Sequence, residues 1–538
     1  MLMKTTSGQH VRTFDGSDNN EQHPDWGKVG TQLRRATTVD YADGISALAQ
    51  RGPDNPNPRV ISNVLCRQTE SIPSRNHLSD FVWAWGQFLD HTIDLTEMRA
   101  DESVPIPTPH NDPVLPNATI PFNRSEFDPD TGTGPGNPRQ QINQISTYID
   151  ASNVYGSSKE RADALRTFDG TGRLKTSISE HGPLLPYNVD GLPNAALPGM
   201  PPESLFIAGD IRANEHAVLT CMHTLFVREH NRLCGEILAC HPQLYGHDET
   251  IYQEARRIVG GIIQSITYHE FLPLLLGENA LAPYTGYKND VNASIANVFS
   301  TACYRLGHSM LSSTLKIGTR GKTLRLRDAF FNPSLVRFYG LEPFFTGMAV
   351  NTMQEIDTRV VEDVRSFLFE PPDPATHQLL DLPALNIQRG RDHGLPGYNE
   401  CRRAFDLDEA RNFSDITSDE SLQKELKHVY KKVEYIDPWI GGLAEDHVEG
   451  ANVGPLILAV LKDQFERLRD GDRFWYQHDP ELSEDRKTEI ANTRLSDVIR
   501  RNTSVTGIAG NVFITDPHAK TRKSQKKQLT KHDHEADD

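Results

Sequence analysis

Four short strings in this chain carry histidine, arginine and carboxylate side chains at spacings that suit proton and charge chemistry. The first is WGQFLDH, Trp85 to His91. Gln87 and His91 are four apart, so on a helix they lie one turn apart on one face, with Asp90 flanking them. A neutral imidazole beside an amide suits a proton shuttle, because histidine titrates in the working range. The same spacing also fits the polar face of a surface helix. The second string, IAGDIRANEH, puts Arg212 and Glu215 three apart at a predicted helix start. A fixed guanidinium can stabilise charge developing on an oxygen. A solvated arginine and a dipole-favoured glutamate would leave the same trace.

In the third string, Phe299 to Met310, His308 follows Gly307 and an apolar helix of small residues. A histidine there could face a large flat ligand with little obstruction, or be an ordinary core residue among the 21 histidines of the chain. The fourth, Leu385 to Asn399, packs Arg389, Arg391, Asp392 and His393 together. Such a cluster more often staples a structure than performs catalysis.

Positioning these strings requires helices. Phe81, Trp85, Phe88, Leu89 and Thr92 follow a helical period, which predicts a helix over 80–94 with Gln87, Asp90, His91 and Asp94 on its other face. A long helix is predicted over 215–240, on Leu219, Met222, Leu225, Phe226 and Leu233. Further helices are predicted at about 249–272, 290–306, 360–368, 396–405, 419–432 and 455–469. Strand signals are confined to 314–317 and 323–326. Residues 104–139, dense in Pro, Asn and Asp, read as a long loop. The fold class is therefore mainly α with little β. Residues 1–45 read as an N-terminal extended arm, 46–516 as one large catalytic domain, and 517–538 as a disordered charged tail.

The chain has 538 residues, enough to bury a core and a bulky cofactor. Its formal charge of -17 argues against nucleic acid or anionic membrane as partner, since both are polyanions. No apolar run approaches the roughly 18 residues of a membrane span. The first residues lack the apolar centre of a signal peptide. Six cysteines, with no CxxC pair, predict free buried thiols rather than disulfides.

In this order the strings resemble one family, the animal-type haem peroxidases of the peroxidase–cyclooxygenase superfamily. STYIDASNVYG (146–156), MHTLFVREHNRL (222–233), DPWIGG (437–442) and QFERLRDGDRFWY (464–476) extend the resemblance over most of residues 60–515. It implies haem b as cofactor. It implies His91 as the distal histidine, Arg212 as the distal arginine, and Gln87 in the peroxide and halide pocket. His308 would be the axial iron ligand, Asn386 the partner of its second nitrogen, and Arg305 an arginine near the haem. Asp90 and Glu215 stand where two family carboxylates form ester bonds to the haem. Ser146, Tyr148, Asp150 and Ser152 match one half of a calcium site, with oxygens at alternate positions as a hard cation prefers.

Three departures qualify this. The family's calcium aspartate after the distal histidine is Thr92 here, so the ion should be held more weakly unless Asp94 or a water compensates. A methionine that forms a third haem link in some members is His216. The radical tyrosine of the oxygenase branch, three residues before the proximal histidine, is Arg305, with Tyr304 one place off. The resemblance thus implies a peroxidase that reduces hydrogen peroxide and oxidises halide, thiocyanate or small phenolic donors. A fatty-acid dioxygenase on the same scaffold and a non-catalytic adhesion or matrix protein are the rival readings. Family members are often exported.

Overall fold

From Phe81 to Ile93 nearly every position is large and apolar or small, so helix α1 (Phe81–Ile93) is enclosed on all sides. Trp85, Phe88 and Leu89 are fully buried, each contributing about 2–3 kcal/mol of apolar burial. On the side of α1 expected to be polar, His91 is only 2% exposed, while Gln87 and Asp90 are half-buried. The structure is a computed structural model that describes residues 10–367 and 380–515. The expected tail at 517–538, and the last residue of the expected helix at 360–368, lie outside the described residues.

Helix α2 (Ala217–Cys240) runs for about 36 Å and forms a hairpin with α3 (Asp248–Ile266). Phe226 of α2 stacks on Phe88 of α1 with ring centres 5.0 Å apart, which joins the two elements that carry the first two strings. The expected helix at 290–306 is much shorter: α4 spans Asn297–Thr301, and a 3-10 turn (Cys303–Ser309) carries His308. The reason is local competition. Ala296 pairs with Arg34 in a parallel bridge and donates to Gln464 Oε1 at 2.8 Å, so its backbone is extended. Ala302 then departs from helical angles at φ -125° and ψ -67°.

Helix α5 (Leu382–Asp392) has no strong amphipathic signal and was not expected. Ion pairs and a cap fix it instead. Asp381 accepts from Ala384 N, and fully buried Arg59 pairs with Asp381 and Asp112 at 2.7 and 2.8 Å. At the other end Arg391 and Arg51 share Asp437, while Asp392 takes Arg389 and Arg124. The fourth string is thus a buried, ion-paired staple. Helix α6 (Pro455–Asp470) packs Phe465 edge-on against Phe299 of α4.

Sheet is limited to three antiparallel pairs among the described residues. Strand β1 (Met98–Ser103) pairs with β4 (Asn123–Ser125), and β2 (Ile106–Pro107) with β3 (Thr119–Ile120). The segment expected to be a long loop, 104–139, holds three of the six strands, β2, β3 and β4. The other pair is β5 (Thr314–Ile317) with β6 (Lys322–Arg325), close to the predicted strands.

Residues 10–45 carry no helix or long strand, yet they lie against the body. Phe14 and Leu33 join the hydrophobic core. Arg12 binds both oxygens of buried Asp472, 460 residues away, and Asn19 donates to the same carboxylate at 2.8 Å. All six cysteines are free; five are buried and Cys240 is exposed. No helix among the described residues is long and apolar enough to cross a membrane.

Candidate active site

Close backbone packing places the second string beside the first. A Cβ on Gly209 would lie 2.2 Å from the Ser152 carbonyl, so only glycine lets this segment reach the turn at Ser152–Tyr155. The next residue, Asp210, accepts from the Arg212 backbone at 2.8 Å in an aspartate turn. The same carboxylate grips the Arg212 guanidinium with both oxygens at 2.9 Å. Arg212 also donates to Asp90 Oδ2 at 3.0 Å and to the Asp94 carbonyl at 2.9 Å. Asp210 Oδ1 lies 3.4 Å from His91 Nδ1, close in distance though outside hydrogen-bond geometry.

Burial dominates the electrostatics here. It drives His91 well below the ordinary histidine range, and Arg212 adds to this while Asp210 opposes it. The ring is therefore neutral near pH 7 and can accept a proton. Burial works against ionised Asp210, but Arg212 and His91 outweigh it and hold the carboxyl below the usual carboxylate range. Burial raises Asp90, against the pull of Arg212.

Gln87 reaches His216 and Glu215. Its Oε1 lies 2.7 Å from His216 Nε2, and its side chain is also hydrogen-bonded to Glu215. Burial lifts Glu215 to about 6, opposed by Arg212 and Gln87.

On the other wall, His308 Nδ1 lies 2.7 Å from the Asn386 amide nitrogen of α5, and the amide oxygen accepts from Arg305 at 3.3 Å. Burial, with help from Arg305, lowers His308 to about 3, so its imidazole is neutral and fit to bind a metal. Arg305 is held further by the Ser300 carbonyl at 3.0 Å. The two walls share charge: Asp90 and Asp94 both interact electrostatically with Arg212 and with Arg305.

Open space adjoins both walls. The side chains of Asp90 and Arg212 are 31% and 17% accessible although their elements lie in the core. A Cβ on Gly307 would meet no heavy atom within 4 Å, so open space adjoins His308. Tyr304 closes one edge, donating to the Gly86 carbonyl at 3.1 Å. A neutral imidazole, small residues beside it and carboxylates at the rim fit a flat, metal-bearing macrocycle.

Residues 11–513 match the model of the animal haem peroxidase family. The chain belongs to the animal haem peroxidases. It is similar to peroxinectin A of Dictyostelium discoideum, 37% identical over 95% of this chain and 97% of that protein. The solved structure of peroxidase A from Dictyostelium discoideum superposes with a TM-score of 0.87, at 36% identity, over 94% of this chain and all of that one. Fatty acid alpha-dioxygenase of Oryza sativa, with palmitic acid, superposes at 0.78 over 94% and 87%, but at 22% identity that likeness shows the fold alone. This peroxidase uses haem, reduces hydrogen peroxide and oxidises small donors.

In this peroxidase, Gln87, Asp90, His91, Arg212 and Glu215 come together on one wall, and Arg305, His308 and Asn386 on the other. The oxygens of Thr92, Ser146, Asp150 and Ser152 gather outside the pocket. Thr92 Oγ1 is 3.1 Å from Ser152 Oγ and 3.5 Å from Asp150 Oδ1, and Ser146 bonds to Asp150. The Tyr148 hydroxyl is not part of this group, since it donates to the Trp26 carbonyl. Asp94 does not join it either: it bonds to Ser300 and faces Arg305 and Arg212. Arg12 and Arg256 bear on Asp150 instead.

Sequence reasoning missed three contributors. Asp210 was readable as a turn-forming aspartate two residues before Arg212. His216 was noted only for the methionine it replaces. His223, whose ring centre is 5.7 Å from that of His91, sits mid-helix like any core histidine and leaves no signal.

Proposed function

We propose that His91 and Arg212 are the catalytic pair for peroxide, and that His308 is the residue that would hold the haem iron. The observation that carries this is that Asp210 grips Arg212 and lies 3.4 Å from His91 Nδ1, which puts the two side chains together. When bound, the haem supplies the redox chemistry. His91, neutral and lying beside Asp210, takes the proton from the near peroxide oxygen at Nε2 and returns it to the far one, so that water leaves. Arg212 stabilises the charge that develops as the oxygens separate. Gln87 and Arg212 together offer N–H groups to a small anionic donor, which favours halide or thiocyanate, with small phenols as further donors.

Iron binding through His308 Nε2 requires the proton on Nδ1. The Asn386 amide would then turn its oxygen to that nitrogen, giving up its acceptance from Arg305, and so fix the tautomer and the ring. Asp90 and Glu215 are the candidates for ester bonds to the haem, because both line the pocket and burial favours their protonated forms. The oxygen group around Asp150 is read as a weak calcium site at most. It offers one carboxylate, and two arginines oppose a cation there.

An absorption spectrum of the haem-loaded protein, before and after peroxide, tests the axial assignment beside His308→Ala. The wild type is expected to show a histidine-ligated Soret band that shifts with peroxide. An unchanged haem spectrum in the variant would refute the ligand.

A further inference from the structure

The geometry points to His216 as a positioning residue that aims the amide N–H of Gln87 into the pocket, and so sets how tightly a small anionic donor is held. This rests on the reading of the pocket given above and deepens it.

His216 has two jobs that fix its chemistry. It is the N-cap of α2, where its Nδ1 accepts from the Leu219 backbone N–H at 3.2 Å. A nitrogen that accepts carries the lone pair, so in the neutral ring the proton is on Nε2. That nitrogen lies 2.7 Å from Gln87, so it donates, and the amide atom facing it must be the oxygen. The amide NH2 is thereby turned the other way, toward Glu215 and the pocket.

The ring has little freedom to do otherwise. It is 2% exposed, with Trp83 edge-on at 5.4 Å and Phe330 at 6.2 Å. Its backbone bridges to Phe330 as well. Without the Nε2–H, the Gln87 amide is held through Glu215 alone, whose carboxyl in its acid form can meet either end. A half-turn would then present a carbonyl oxygen to the pocket, which repels an anion but not a neutral phenol.

Two substitutions separate the cap from the donor. His216→Ser keeps a capping oxygen but has no N–H that reaches Gln87. His216→Gln loses the cap geometry but places an amide N–H where Nε2 was. The measurement is bromide titration of the Soret band in the haem-loaded enzyme, with kcat/KM for bromide and for a simple phenol alongside. His216→Ser is expected to raise the bromide Kd by roughly three- to tenfold and to lower the bromide-to-phenol ratio of kcat/KM by a similar factor. His216→Gln is expected to restore most of both. Wild-type bromide affinity in His216→Ser, or equal loss in both variants, overturns the proposal. So does a wild-type Soret band that bromide does not move in a protein that reacts with peroxide. A wild type that does not react with peroxide would overturn the catalytic reading itself.

Discussion

Asp210 holds the Arg212 guanidinium with both oxygens at 2.9 Å while its Oδ1 lies 3.4 Å from His91 Nδ1. One carboxylate therefore orients Arg212 and places its charge beside His91, the two groups proposed to handle peroxide. Replacing Asp210 with Asn keeps the size and removes the charge. The peroxide reaction, followed by stopped-flow absorption, is expected to slow by about tenfold to a hundredfold, with the resting haem spectrum retained. His91→Ala is expected to cost about a hundredfold to ten-thousandfold in the same measurement. A rate within twofold of wild type in either variant would remove that residue from the mechanism.

Asp90 and Glu215 face one pocket, and each has its acid form favoured by burial. Haem in the wild type, after turnover with peroxide, is expected to resist extraction into acidified organic solvent. The double variant Asp90→Asn, Glu215→Gln is expected to release it, and each single variant to show one fewer link by peptide mass spectrometry. Complete extraction from peroxide-treated wild type would show that the carboxylates stay free.

The Thr92, Asp150 and Ser152 oxygens form a group with one carboxylate, near Arg12 and Arg256. Chelator treatment is therefore expected to shift the melting temperature by only a few degrees, in line with about 1 kcal/mol or less in a large domain. Metal analysis is expected to find substoichiometric calcium after dialysis. A stoichiometric ion and a large drop in melting temperature on chelation would show a strong site.

Asp80, 1% exposed, is bonded to Asn351 at 2.7 Å and to the Trp83 indole at 3.0 Å, and burial raises its carboxyl to about 7. In the unfolded chain an aspartyl group titrates near the ordinary value of 3.8. Folding thus takes up a proton between those values. The contribution to stability is fully present below about pH 3.8 and is lost as pH rises through about 7. At roughly 1.4 kcal/mol per unit, the loss approaches about 4 kcal/mol by pH 8. Asp80→Asn is expected to flatten that part of the pH–stability curve, measured by denaturant titration at pH 5 and pH 8. An unchanged slope would mean that Asp80 is ionised throughout.

Legibility in the sequence followed the physics of each element. Helices α1 and α2 were readable because many large apolar residues recur at helical spacing. Helix α5 was not, because Arg59, Arg51 and Arg391 hold it through carboxylates far away in the chain, and no local pattern records that. The segment before α4 was over-read as helix: its small apolar residues fit one, but pairing with residue 34 captures the backbone. Within the site, His91, Arg212 and His308 stood out as unusual strings, and only a family resemblance joined them. Asp210 left a local trace in its turn. His216 and His223 act across space, on Gln87 and beside His91, and spacing along the chain cannot convey that.

The clasp between Arg12 and Asp472 has a consequence in time. During synthesis the arginine leaves the ribosome first, and its carboxylate partner follows 460 residues later. At ordinary elongation rates that wait is roughly 20–90 s. Throughout it, the guanidinium lacks the carboxylate that binds it. The nascent protein must therefore carry Arg12 unclasped for most of that time, and closing the clasp is among the last acts of assembly.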